Sequence, residues 1–219
     1  MLPFTHEQFL AVFAAYNTAV WPAQPVAYLL GLAACAALAW RPRSSGRLVA
    51  GVLAVGWLWT GMAYHLFHFS TVNPAAVAFG VLFLVQGVLF VSAARRRSLR
   101  FRAAQGWRGW AGWTLVVYAM VFYPLLGLAA GARYPELPMF GITPCPLALF
   151  TFGILLLASG RIPWSLLVVP GAWSVIGGSA AFLLDVPQDG PLLFLVLLVP
   201  VLALRPAQPA RARLAGAES

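Results

Sequence analysis

Lysine is absent from this chain, and only five residues are acidic, so its fourteen basic residues are all arginine. Charged residues make up 9% of the whole, against about 25% in a soluble domain. With 62% of residues hydrophobic and a mean hydropathy of +0.85, the chain has too little polar surface to cover itself in water, which predicts a bilayer as its solvent. The two cysteines, Cys35 and Cys145, exclude a disulfide scaffold. Their expected depths differ by roughly 15 Å on helical rise, too far for a bridge. A basic n-region and a small-residue cleavage site are missing from the first residues, so no cleavable signal peptide is expected.

Long apolar runs, punctuated by proline and arginine, are what the chain does have. They read as seven spans: Pro25–Trp40, Leu48–His68, Pro74–Ala94, Trp110–Ala130, Pro146–Gly160, Pro163–Leu184 and Pro191–Leu204. Proline opens five of them, at a position where the missing N–H costs nothing. The last is short. Residues 5–19 form a further helix, with Thr5 as N-cap and Phe9, Val12, Phe13 and Tyr16 at helical spacing. It is too short to span. It reads as an interfacial helix, with a buried extension of the first span as the alternative.

Seven spans divide the arginines unequally. Arg41, Arg43, Arg47, Arg95, Arg96, Arg97, Arg100, Arg102, Arg108, Arg161, Arg205, Arg211 and Arg213 fall on one side, and Arg133 alone on the other. The positive-inside rule then predicts an outside N-terminus, an inside C-terminus and a cytoplasmic tail over 205–219. Glu7, Glu136, Asp185 and Asp189 fall outside. The net charge of +9 is accounted for by topology and by anionic lipid at the cytoplasmic face; no nucleic-acid partner is expected. The expected fold is a single all-α transmembrane domain (1–219) in a bacterial inner membrane.

An internal echo joins two stretches. Gly46, Arg47, Leu53, Val55 and Trp59 match Gly160, Arg161, Leu167, Val169 and Trp173 at one offset of 114. This suggests a 3+1+3 arrangement of parallel repeats, 25–94 and 146–204, about a linker helix at 110–130. The layout resembles that of SWEET and PQ-loop proteins, and parallel repeats are a transporter plan. Chance similarity between apolar helices is the competing reading. At the offset, Tyr64 and His65 align with Gly178 and Ser179, which would leave space opposite the larger side chains.

At the level of words, "MLPFTHEQFL", "YNTAVWPAQ", "AYHLFHF", "VNPAA" and "FGITPCP…FTFG" resemble a bacterial membrane-protein family, domain-of-unknown-function family 6064, over nearly the whole chain. The resemblance implies a multipass membrane protein and carries over no catalytic or binding residue.

Polar groups collect near the external ends of the spans: Tyr64, His65, His68, Asn73, Tyr123, Thr143 and Cys145, with Trp173 from the repeat and Gln86 in mid-span. They predict an outward-facing pocket. On an α-helix His65 and His68 would share one face, and intramembrane histidines should face protein or water. Gln86 needs a hydrogen-bond partner, from another helix or a solute. Prolines 144 and 146 are expected to delay the helix until 146 and to leave Cys145 in irregular backbone. Four functions stand open. A small solute could be transported or bound. His65, His68 and Cys145 could hold a soft metal. A Cys/His pair could act on lipid. Or the protein could sense or assemble without turnover. No cofactor is required by the sequence.

Overall fold

The computed structural model describes residues 3–40, 43–101, 106–159 and 161–204. Arg41, Arg102, Gly160, Arg205, Arg211, Arg213 and the tail 205–219 lie outside these. The α-helices run in the order α1 (His6–Ala19), α2 (Ala23–Trp40), α3 (Ser45–Trp59), α4 (Ala75–Arg96), α5 (Trp107–Val117), α6 (Tyr123–Ala129), α7 (Pro144–Leu157), α8 (Val168–Leu183), α9 (Leu192–Leu195) and α10 (Leu198–Ala203). Among the described residues there is no strand, only one isolated bridge between Phe101 and Ala158.

Five helical segments are long and apolar enough to cross a membrane: Ala23–Trp40, Ser45–Thr71, Ala75–Arg96, Trp107–Ala129 and Trp164–Leu183. Two of the expected seven differ. The segment after Pro191 breaks into the short α9 and α10. Helix α7 is only 14 residues long, and all of them are buried except the half-buried Cys145. A helix that is apolar all round belongs inside a protein, and α3, α5, α8, α9 and α10 pack against it. Gly56 of α3 lets Leu147 of α7 approach. Gly112 of α5 and Gly153 of α7 meet backbone to backbone: a Cβ on Gly153 would lie 2.8 Å from the Gly112 carbonyl oxygen. Small residues at such crossings replace the hydrophobic driving force that lipid does not supply.

Helix α7 begins at Pro144, two residues earlier than expected, with Thr143 extended before it (φ −118°, ψ 152°). The first-turn amides have no intrahelical acceptor, so prolines at the first and third positions remove no hydrogen bond. Cys145 is therefore helical. Two other prolines do free a carbonyl, four residues upstream. Pro124 frees that of Met120, which accepts from the Tyr28 hydroxyl at 3.0 Å. Pro170 frees that of Leu166, which accepts from the Gln86 amide at 3.4 Å. The partner of Gln86 is thus a backbone carbonyl at the entry to α8.

Two apolar segments are wound as π-helix, Thr60–Leu66 and Tyr118–Phe122. The first follows α3 where Gly61 crosses Gly80 of α4, with room for no side chain on either. The second runs into α6 just ahead of Pro124. π segments are uncommon and gather at functional sites.

Side-chain contacts sort the chain into two ends. At one, Asn17 bonds the carbonyls of Pro135 and Leu137, His6 bonds that of Leu184, and Tyr16 bonds that of Ile142. At the other, Arg108 bonds the carbonyls of Leu156 and Ala158, and Arg161 bonds that of Ala203. At the repeat offset Ser45, the start of α3, aligns with Ser159, whereas α8 starts at Val168.

Helix α1 has the expected N-cap. Thr5 and Gln8 form a reciprocal capping box, Gln8 N to Thr5 Oγ1 at 3.2 Å and Thr5 N to Gln8 Oε1 at 2.9 Å. Its apolar face does not lie against lipid. Phe9, Val12, Phe13 and Tyr16 are buried with Tyr64, Phe69, Ile142 and Leu184. Nor does α1 extend α2, since a turn at Val20–Pro22 separates them. Thr5→Ala removes the cap and is expected to cost about 1 kcal/mol locally. Faster amide hydrogen exchange in the first turn of α1, without faster exchange in α7, is the measurement.

Candidate functional site

A cavity of about 150 Å³ lies at the α1 end. Tyr64, Asn73, Tyr123, Thr143, Cys145 and Trp173 all line it, so six of the nine residues singled out from sequence come together. Gly177 and Ser179 line it too, whereas Gly178, which aligns with Tyr64 at the offset of 114, packs against Leu193. Phe4, Phe9 and Phe13 supply the cover. That cover is fastened at both ends. His6 Nδ1 lies 2.8 Å from the Leu184 carbonyl oxygen, and the Tyr16 hydroxyl donates to that of Ile142 at 2.7 Å while accepting from Trp59 Nε1 at 2.8 Å.

Asp189 completes the lining, where its position in the sequence predicts only an external charge. It sits in a 3₁₀ turn, Pro187–Asp189, and is buried. The π segment explains how the turn is held. A π register brings residues five apart onto one face, so Tyr118 and Tyr123 point the same way. Tyr118 donates to the Gln188 carbonyl at 2.9 Å, and Tyr123 donates to Asp189 Oδ1 at 2.6 Å. The Cys145 thiol and the Tyr123 hydroxyl are the hydrogen-bonding neighbours of the carboxyl. No cation neutralises it among the described residues. Burial pushes it up to about 7, and the bond from Tyr123 pulls it partly back. The signal for it was present: "PQDG" puts an acid between proline and glycine, beside a final span too short to cross. An ionisable group so close to the apolar region is costly enough to need a partner.

The other three residues go elsewhere. His65 and His68 do not share a face, because the helix is π-wound through Leu66 and then ends. His65 is fully buried, its ring 4.6 Å from that of Phe83 and 5.1 Å from that of Trp173. Neither of its nitrogens has a hydrogen-bond partner among the described residues. His68 Nδ1 is held 2.7 Å from the Ala63 carbonyl oxygen, and its ring rests edge-on against Tyr16. Gln86 is spent on Leu166. Cys145 therefore neighbours Asp189, Trp173 and Tyr123 and no histidine. No group of three His, Cys, Asp or Glu side chains that could hold a metal forms among the described residues. Both cysteines are free.

Within the lining, Thr143 Oγ1 donates to the Met139 carbonyl at 2.8 Å and Asn73 Oδ1 accepts from Ala75 N at 3.1 Å. Both polar groups are thereby partly occupied. Tyr64 packs flat on Phe13 and Phe69. The cavity thus offers an aromatic wall with one concentrated polar corner, at Asp189, Tyr123 and Cys145. A Cβ on Gly177 would come within 2.8 Å of Trp173 Nε1 and 3.1 Å of Cys145 Sγ, so a larger residue there forces the indole or the thiol aside and crowds that corner.

No curated protein and no solved structure matches the chain. One family model, described as a family of unknown function (DUF6064), matches residues 6–213. That match covers nearly all of the sequence, and the chain belongs to this family.

Proposed function

We propose that the protein binds a small solute in the cavity beneath α1, from the external side of a bacterial inner membrane. In this reading the chain crosses seven times, with its N-terminus outside and its C-terminus inside. The short α7 is a crossing sheltered by protein, and α9 with α10 forms a broken seventh. The observation that carries the reading is the convergence of six separate polar or aromatic residues and a buried carboxyl on one cavity.

Charge supports the orientation. Arg43, Arg47, Arg97 and Arg100 line a shallow depression at the opposite end, suited to anionic lipid headgroups. Glu7, Glu136, Asp185 and Arg133 are exposed at the cavity end. Solute binding is favoured over Cys/His chemistry because the thiol has no histidine partner. Between the cavity and the arginine end, α7 is closed by Leu149, Phe152, Ile154, Leu155 and Leu156, all buried. Passage of the solute across the membrane would require a second conformation, so binding is the activity this geometry carries.

Cysteine labelling tests the reading. In a Cys35→Ser background, a membrane-impermeant methanethiosulfonate reagent is expected to modify Cys145 in right-side-out vesicles and not in inverted ones. Gly177→Leu is expected to slow that reaction at least about tenfold, because its side chain crowds Trp173 and covers the Cys145 thiol, a steric block worth about 1.4 kcal/mol or more. Modification from the cytoplasmic face alone would reverse the orientation. Labelling that Gly177→Leu leaves unchanged would place the reacting thiol outside the cavity and remove the solute site.

A further inference from the structure

We propose that the solute is a small organic cation, an alkylammonium about the size of benzene, recognised by the Asp189 carboxylate inside a box of aromatic rings. The inference rests on the binding reading above and names the chemical class for the same cavity.

Size comes first. A cavity of this volume, about 150 Å³, suits a molecule of about the size of benzene. Next is the wall. Phe9, Phe13, Phe69, Phe79, Tyr123 and Trp173 line it, from α1, the turn after the first π segment, α4, α6 and α8. Aromatic rings attract a cation through their electron-rich faces, most strongly where water is excluded, and such cages are how proteins hold quaternary and methylated ammonium groups. An apolar wall alone would suit a neutral molecule equally well.

Asp189 makes the difference. It is a buried carboxyl with two hydrogen-bonding neighbours, both neutral donors, and no cation among the described residues. Burying a carboxylate without a counter-charge is expensive, and retaining an acid where an amide would fit calls for a ligand that supplies the missing charge. An anionic solute would meet the same carboxyl as a repulsion. The acids exposed at this end of the molecule, Glu7, Glu136 and Asp185, outnumber the single Arg133 and favour approach of a cation. Tyr123 holds one carboxylate oxygen. That leaves the remaining lone pairs of Asp189 for an ammonium N–H, or for the contact of a quaternary centre.

The test pairs cations with neutral molecules of matched shape on the full chain in detergent. Butylammonium is compared with 1-butanol, and tetramethylammonium with tert-butanol. Binding is read by ligand-observed saturation-transfer NMR at pH 8, for wild type, Asp189→Asn and Gly177→Leu. In wild type each cation is expected to bind at least about tenfold more tightly than its neutral partner, the scale of a desolvated cation–aromatic contact. Asp189→Asn is expected to lower that preference at least about threefold, with the rings retaining the rest, and Gly177→Leu to weaken all four ligands. Equal binding of cation and alcohol in wild type, blocked by Gly177→Leu, would overturn the cation inference and leave the solute site standing. Cation binding that ignores both substitutions would place the cation elsewhere and overturn the inference as well. Absence of binding by all four would overturn both readings.

Discussion

Asp189→Asn is expected to make the protein more stable, and the gain should grow with pH. The carboxyl stands at about 7 in the folded chain because burial disfavours its charge, against about 3.9 when unfolded. Between those values the native state keeps a proton that the unfolded chain has lost. Wild-type stability therefore falls as pH rises through that window and levels off above it. The other titratable groups around Asp189 are Tyr64, Tyr118, Tyr123 and Cys145. These are tyrosines and a thiol, ordinarily neutral below about pH 8, so the slope belongs to Asp189.

Asparagine is nearly the same shape, still accepts the Tyr123 hydroxyl, and has no charge to desolvate. The expected advantage of the variant is on the order of a few kcal/mol at pH 8, and small at pH 4. For a chain of this length that is roughly 5–10 °C in Tm at pH 8. Thermal unfolding of both proteins in detergent at pH 4, 6 and 8 measures it. A wild-type Tm that does not fall between pH 4 and 7 relative to the variant would show that the carboxyl is not desolvated. A site residue whose replacement stabilises the fold while lowering ligand preference is the expected signature of function held at the expense of stability.

Gly153→Leu is expected to have the largest effect on the fold itself. Glycine at 153 is required by close approach, since the nearest neighbours of an added Cβ are the Gly112 carbonyl oxygen at 2.8 Å and Val116 N at 3.0 Å. Both are backbone and cannot rotate away. Helices α5 and α7 would have to separate, and α3, α8, α9 and α10 also pack on α7. Overpacking of this kind costs typically about 1–3 kcal/mol, and separation of a central helix pair should reach the upper end or exceed it. Gly51→Leu in α3 is the control: nothing lies within 4 Å of its added Cβ, so its effect should stay within about 0.5 kcal/mol. Monodisperse yield and Tm after detergent extraction compare the two. Equal behaviour would mean that the α5–α7 contact does not hold the bundle together.

How much of this was legible in the sequence depends on whether the signal is local. Thr5 could be read as an N-cap because a cap needs only the backbone three residues on. The clustering of polar groups near span ends could be read because it follows from hydropathy along one chain. The pairing of His65 with His68 could not. It assumed an α-helical period through 60–68, and the crossing of Gly61 with Gly80 goes with π winding there. The start of α7 was misjudged because the bias against helix before a proline is a preference, which a first turn without hydrogen bonds can absorb. Asp189 was missed because its meaning lies in Tyr118 and Tyr123, some seventy residues away, and in a π segment that sets both on one face.

By itself the sequence determined the helical class and most of the apolar segments long enough to cross a membrane, since these follow from composition and nearest neighbours. Tertiary structure decided which helix is central, where α1 rests, and which polar groups meet. Those depend on close approach at a few glycines and on carbonyls freed by Pro124 and Pro170. Their partners, Tyr28 and Gln86, are set by the packing of distant helices and by nothing adjacent in the chain.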